Sequence, residues 1–170
     1  MLLNFILIIA IIFLFFLLSM IWPPDSPWAP WWRTNSKTAK AVCKLAGITN
    51  NDVVYDLGCG DGEVLIQAAK TGAKGVGIEI DVSRAFIAKC RLLKNKLQNR
   101  VQIKRKNFFE EDLSQASVII VYLVPKTLEK LLPKFRKELK KGTKIVSFRY
   151  KINLPIKKED KKNKLYLYTI

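Results

Sequence analysis

The chain contains no histidine. That removes imidazole general bases, Ser–His and Cys–His nucleophile pairs, and most zinc sites. Its three cysteines, Cys43, Cys59 and Cys90, are odd in number and widely spaced. They form neither a metal-ligand pattern nor a disulfide framework, and they suit a reduced compartment. No metal site is expected. Acidic residues are scarce: 14 Asp and Glu stand against 30 Lys and Arg, a net charge of +16. Such a balance suits an acidic partner, either anionic lipid headgroups or nucleic acid. The basic residues are scattered, with no arginine-rich motif and no aromatic–basic interleaving of an RNA-binding sheet. Nucleic acid is therefore disfavoured as a partner, and a lysine-rich composition alone accounts for much of the excess.

Charge is also missing from Phe5 to Trp22, where 14 of the 18 residues are Leu, Ile or Phe. On the insertion scale they favour a bilayer by very roughly 6 kcal/mol. No Lys or Arg precedes the run, and "SMIWPPDSPW" is a poor cleavage site, so a retained transmembrane anchor over residues 1–22 is preferred to a cleaved signal peptide. Arg33, Lys37 and Lys40 follow the run, which predicts a cytoplasmic C-terminal domain. Trp22 and Trp28 read as an interfacial belt. Residues 23–35 form a proline- and tryptophan-rich linker, stiff and short.

The remaining 36–170 suffice for one domain with one core. Strand and helix patterns alternate. "SKTAKAVCKLAG" reads as a helix starting near Ser36, "DVVYDL" as a buried strand, and Asp61 to Thr71 as a second helix. "KGVGIEI" is a second strand. Residues 82–97 form a helix whose stripe Val82, Phe86, Cys90, Leu93 and Leu97 is expected to face the core. "VQIKRK" and "SVIIVYLV" are strands. Leu128, Leu131, Leu132, Phe135 and Leu139 mark a further helix, with Pro133 kinking it or starting its second half. "TKIVSFRY" and "KLYLYTI" are two last strands, and "IKKEDKKNK" (156–164) reads as a charged hairpin tip. The alternation predicts an α/β fold, a mainly parallel Rossmann-like sheet with helices on both faces.

The most informative stretch is "VVYDLGCGDGEV". Gly58, Gly60 and Gly62 let the backbone turn sharply beside a ligand at the carboxyl end of the first strand. The spacing G-x-G-x-G lacks a following Lys-Ser/Thr, which argues against a phosphate loop. Asp56 and Asp61 bracket the turn. They would repel a pyrophosphate and suit an ammonium or sulfonium charge. Glu79 ends the second strand, where a carboxylate accepts hydrogen bonds from ribose hydroxyls. Adenosine, positive charge and a carboxylate together describe S-adenosylmethionine.

These residues, with "GVGIEID", resemble the first two motifs of class I S-adenosylmethionine-dependent methyltransferases. "NFFEEDLSQASVIIVYL", "LLPKFRKELKKGTKIVS" and the terminal "YLYTI" narrow the likeness to small archaeal protein-lysine methyltransferases. They also resemble animal mitochondrial relatives that methylate an ATP synthase ring protein and likewise carry a hydrophobic N-terminal segment. The resemblance implies a class I methyltransferase fold and a lysine acceptor on a protein. It places the methionyl part of the cofactor on Asp56, Gly58, Gly60 and Asp61, with Cys59 and Gly62 in the same turn. Glu79, followed by Ile80, would hold the ribose, and Asn107 and Phe108 the adenine edge. In the family's proline-rich closing segment this chain reads "PWWRTN". Trp31 and Thr34 would contact the cofactor there, while Arg33 and Asn35 replace prolines. Tyr122 is the expected catalytic channel residue, orienting and desolvating the acceptor amine. Phe148 and Arg149 would shape the acceptor side, and Asp112 reads as a loop cap.

The expected partner is thus a protein with an accessible lysine, membrane-associated like the chain itself. Two alternatives stand beside it: a lipid headgroup amine or other small amine as acceptor, and a non-catalytic cofactor-binding module.

Overall fold

A computed structural model describes residues 2–21 and 33–170; in the first helix, side chains are described for residues 4–18. That helix, α1 (Leu2–Ile21), is followed by α2 (Ser36–Ala46), β1 (Val53–Leu57), α3 (Glu63–Ala69), β2 (Lys74–Glu79), α4 (Val82–Lys94), β3 (Val101–Arg105), β4 (Val118–Val121), α5 (Pro125–Glu138), β5 (Lys144–Phe148), β6 (Lys158–Asp160) and β7 (Leu165–Thr169). A 3₁₀ turn at Phe108–Glu110 follows β3.

The seven strands make one sheet in the order β3-β2-β1-β4-β5-β7-β6. The pairings β3-β2-β1-β4-β5 are parallel. β7 pairs antiparallel with β5 and with β6. The central strands are buried on both faces: Val118, Ile119, Ile120 and Val121 of β4 are all inaccessible or nearly so. One core layer packs α2, α3 and α4 on the sheet. The other gathers Tyr55, Ile119, Leu128, Leu131, Phe135 and Tyr168 beneath α5. This is the expected Rossmann-like arrangement.

The elements differ from the sequence reading in four places. α3 runs only over Glu63–Ala69, because Asp61 and Gly62 remain in the turn, Gly62 with φ +76°. α5 continues through Pro133 as a single helix. The 156–164 segment includes β6, which pairs with β7 before the lysine-rich tip. The largest difference is at α4. Its buried residues are Arg84, Ala85, Ala88 and Leu92, while Val82, Phe86, Cys90 and Leu93 face solvent. Ala88 is small where α4 lies close on the glycine turn: its Cβ would be only 3.4 Å from a Cβ placed at Gly62.

Among the described residues no helix is long and apolar enough to cross a membrane. Met1, Trp22 and the linker up to Trp32 lie outside the described residues, so the expected anchor is not established by the fold.

Candidate active site

The parallel register sets four residues side by side along the carboxyl edge of the sheet. Leu57 lies opposite both Ile78 and Val121, and Val121 lies opposite Ser147. One residue further along each strand come Glu79, Gly58, Tyr122 and Phe148. Glu79 is in turn paired with Arg105, two residues short of Asn107. The turn after β1 therefore sits between the Glu79 side and the Tyr122 side, at the edge where open α/β sheets bind ligands.

Gly58, Gly60 and Gly62 all have positive φ, at +81°, +55° and +76°. Three left-handed residues in five positions need glycine. The amides of Gly58 and Cys59 both donate to the Ile78 carbonyl, at 2.8 and 3.1 Å, which ties the turn to β2. Gly77 makes this approach possible: a Cβ there would come within 2.7 Å of Cys59, Leu65 and Ile103 side-chain atoms.

Glu79 is buried and its two carboxylate oxygens hold the local backbone. Oε2 accepts from the Gly60 amide at 2.9 Å and Oε1 from the Asp81 amide at 3.0 Å. Burial raises its pKa above the ordinary carboxylate range, against the pull of those two bonds. Asp56 is also buried. Burial, with the nearby charges of Glu79 and Asp61, pushes it up to about 7. Cys59 is buried, and burial pushes its thiol well up. It is a packed turn residue in a neutral form, not a nucleophile.

Asp61 has a different status. Its Oδ2 accepts from Arg33 Nε at 2.8 Å and lies 2.6 Å from an Arg91 guanidinium nitrogen. Arg91 also donates to the Asp61 carbonyl at 2.9 Å and pairs with Glu63. Glu63 is anchored further by Gln67 at 2.8 Å. The two carboxylates that bracket the turn are thus unequal: Asp61 pairs with two guanidiniums, and Asp56 has no ion pair among the described residues. A cationic ligand fits that imbalance, and the sulfonium and ammonium of S-adenosylmethionine supply such charge. Asp56 and Glu79 are the residues of this chain that would hold it.

Sequence reasoning missed Arg33 and Arg91 as partners of the turn. The only signal was Arg33 replacing a proline; Arg91 lies 30 residues from Asp61 on a helix whose faces were read in reverse. Thr34, next to Arg33, is half-buried, as is Ile80 after Glu79. Trp31 lies outside the described residues. Asn107 caps the 3₁₀ turn by accepting from the Phe109 amide at 3.1 Å. Phe108 is half-buried against Phe109, their ring centroids 4.9 Å apart.

On the other side of the turn, the Tyr122 and Phe148 rings are 4.2 Å apart at 45°. The Tyr122 hydroxyl lies against Arg149 and favours the charged guanidinium. Arg149 adopts φ +70°, a left-handed conformation that costs a non-glycine residue of order 1 kcal/mol. Its amide donates to the Lys164 carbonyl at 2.7 Å, which holds the strained residue in place. Asp112 caps its loop, accepting from the Ser114 amide and hydroxyl at 2.9 and 2.8 Å. Among the described residues no cluster of acidic or cysteine side chains could hold a metal ion.

Comparison with known proteins sharpens the chemistry. Residues 56–157 match the family described as the ANTKMT methyltransferase domain. The chain is 36% identical over 160 residues to a protein-lysine N-methyltransferase of Saccharolobus islandicus strain REY15A, covering 89% of this chain and 98% of that one. It is 25% identical over 116 residues to the ATP synthase c-subunit lysine N-methyltransferase of Caenorhabditis elegans, covering 68% of this chain but only 60% of the worm protein. In three dimensions it is similar to an RNA methyltransferase of Salinibacter ruber solved with S-adenosyl-L-homocysteine, with TM-score 0.79 and 34% identity over 82% of this chain and 94% of that one.

Proposed function

Because the chain belongs to the ANTKMT methyltransferase-domain family, and is therefore an S-adenosylmethionine-dependent methyltransferase, we propose that it methylates lysine side chains of proteins held at a membrane. The acceptor class rests on one observation, the 36% identity that runs nearly end to end with an archaeal protein-lysine N-methyltransferase.

The bound cofactor supplies an activated sulfonium methyl. The chain must supply position and a neutral amine. Asp56 and the glycine turn would hold the cationic end, Glu79 the ribose, and Asn107 with Phe108 the adenine edge. The acceptor enters beside Tyr122 and Phe148, whose rings remove water from the lysine and lower its pKa. The exposed Arg149 guanidinium next to Tyr122 works in the same direction, since a fixed positive charge disfavours an ammonium nearby. Once neutral, the lysine nitrogen needs no histidine to attack in line.

The membrane part of the reading is supported by α1. Its sequence carries no charge and is dominated by Leu, Ile and Phe, a composition that favours a bilayer. Every apolar side chain described in it is exposed. The basic residues that follow in the sequence favour a cytoplasmic catalytic domain.

The test is transfer of labelled methyl groups by the full-length protein to membranes of its own cell, followed by separation of protein, lipid and RNA. Label in the protein fraction is expected. Label confined to lipid would establish the small-amine alternative, and label in RNA would align the chain with its Salinibacter neighbour instead. Glu79→Ala should abolish S-adenosylhomocysteine binding measured by calorimetry; retained affinity would contradict the assignment of the ribose site.

A further inference from the structure

The apolar stripe of α4 points away from the core and nothing among the described residues covers it. Val82, Phe86 and Leu93 are 56%, 66% and 59% exposed, and Cys90 is exposed among them. At about 100° per residue these four fall on one side of the helix, with Lys89 at one edge and Lys94 at the other. Both lysines are exposed, as are Lys96 and Arg100 just beyond the helix. No acidic residue occurs in α4. An exposed apolar row of this kind marks an interaction surface.

We propose that this face of α4 docks on an anionic lipid surface. Charge decides between occupants. A second copy would set lysine against lysine, a repulsive arrangement. A lipid interface accepts the apolar row to a shallow depth, while lysines on both edges reach the headgroups. The opposite face of the same helix grips the cofactor turn, through Ala88 against Gly62 and Arg91 on Asp61 and Glu63. Asp81, the N-cap of α4, donates its amide to Glu79. Docking would therefore set the glycine turn about one helix diameter, ~10 Å, from the headgroups. Such docking requires neither that α1 spans the bilayer nor that lysine is the acceptor.

Cys90 is a built-in reporter, because Cys43 and Cys59 are buried. Full-length protein is incorporated into vesicles of phosphatidylcholine alone, or of equimolar phosphatidylcholine and phosphatidylglycerol. The rate at which Cys90 reacts with a membrane-impermeant maleimide is then read. Slower reaction in the anionic vesicles is expected, and Phe86→Glu with Leu93→Glu should erase the difference while leaving S-adenosylhomocysteine affinity unchanged. A basic residue near an anionic surface contributes about fivefold, so Lys89→Gln with Lys94→Gln should weaken the protection roughly 25-fold. Equal rates in the two vesicle types would overturn the proposal. So would protection that grows with protein concentration without lipid, the mark of a second copy, or protection that appears only when membrane proteins are added. Methylation of a soluble lysine peptide, measured alongside, reports the catalytic reading separately.

Discussion

Asp56 shows how one side chain links stability to ligand choice. Its carboxyl is pushed up to about 7 by burial and by Glu79 and Asp61. A raised acid in the folded state favours folding at low pH, and that contribution is lost as pH rises from the unfolded value, 3.8, through about 7. Asp56→Asn should therefore gain stability relative to the parent as pH increases from 5 to 7, then level off. Thermal melts at a series of pH values check this. The slope is the diagnostic, since any fixed cost of the amide is independent of pH. Conversely, ionised Asp56 is what attracts a cation, so S-adenosylmethionine affinity should rise with pH over the same window, and Asp56→Asn should flatten that rise. Gly77 carries a steric prediction. Alanine there meets three side chains at 2.7 Å, so Gly77→Ala should destabilise by ~1–3 kcal/mol, seen in denaturant unfolding, and weaken cofactor binding by displacing Cys59.

At the level of elements, β1, β2 and β4 were legible because buried parallel strands read as apolar runs, and the glycine turn because left-handed backbone demands glycine. The orientation of α4 was not. Its apolar stripe has the spacing of a core face, yet Ala85, Ala88 and Leu92 are the residues that pack. Close approach to Gly62 keeps the residue at position 88 small, and periodicity cannot distinguish a core stripe from one reserved for another surface. The same inversion hid Arg91, whose two buried carboxylate partners come from the distant glycine turn and the first residue of α3. Arg91→Ala would leave Asp61 and Glu63 buried without their shared cation. We expect a loss of about 2–3 kcal/mol, given that the side chain is partly exposed. Arg33→Ala should cost no more than ~1 kcal/mol, because its side chain is 63% exposed and such pairs are screened. Equal losses for the two variants in chemical denaturation would contradict this division of labour.

Over the whole molecule, the sheet turns four separate strand ends into one row: Glu79, Gly58, Tyr122, Phe148. The half of that row proposed to hold the cofactor could be read from sequence because its chemistry is compressed into a short motif. The proposed acceptor half could not be read as fully, since Tyr122 and Phe148, with Arg149 beside them, meet only through the pairing of β4 with β5. Tyr122→Phe keeps the ring and removes the hydroxyl. If desolvation by the ring dominates, kcat should fall by less than about tenfold; if the hydroxyl positions the amine, the loss should approach the ~10²-fold typical of a lost orienting contact. The central claim, that this site delivers methyl groups to lysine, is tested most directly by amino-acid analysis. Membrane protein labelled by the full-length enzyme and radioactive methyl donor is hydrolysed, and the label is chromatographed against methylated lysine standards. Label eluting with methyl-lysine is predicted for the parent protein, and none for Glu79→Ala. Label eluting with any other methylated residue, or an equal methyl-lysine signal from Glu79→Ala, would contradict that claim.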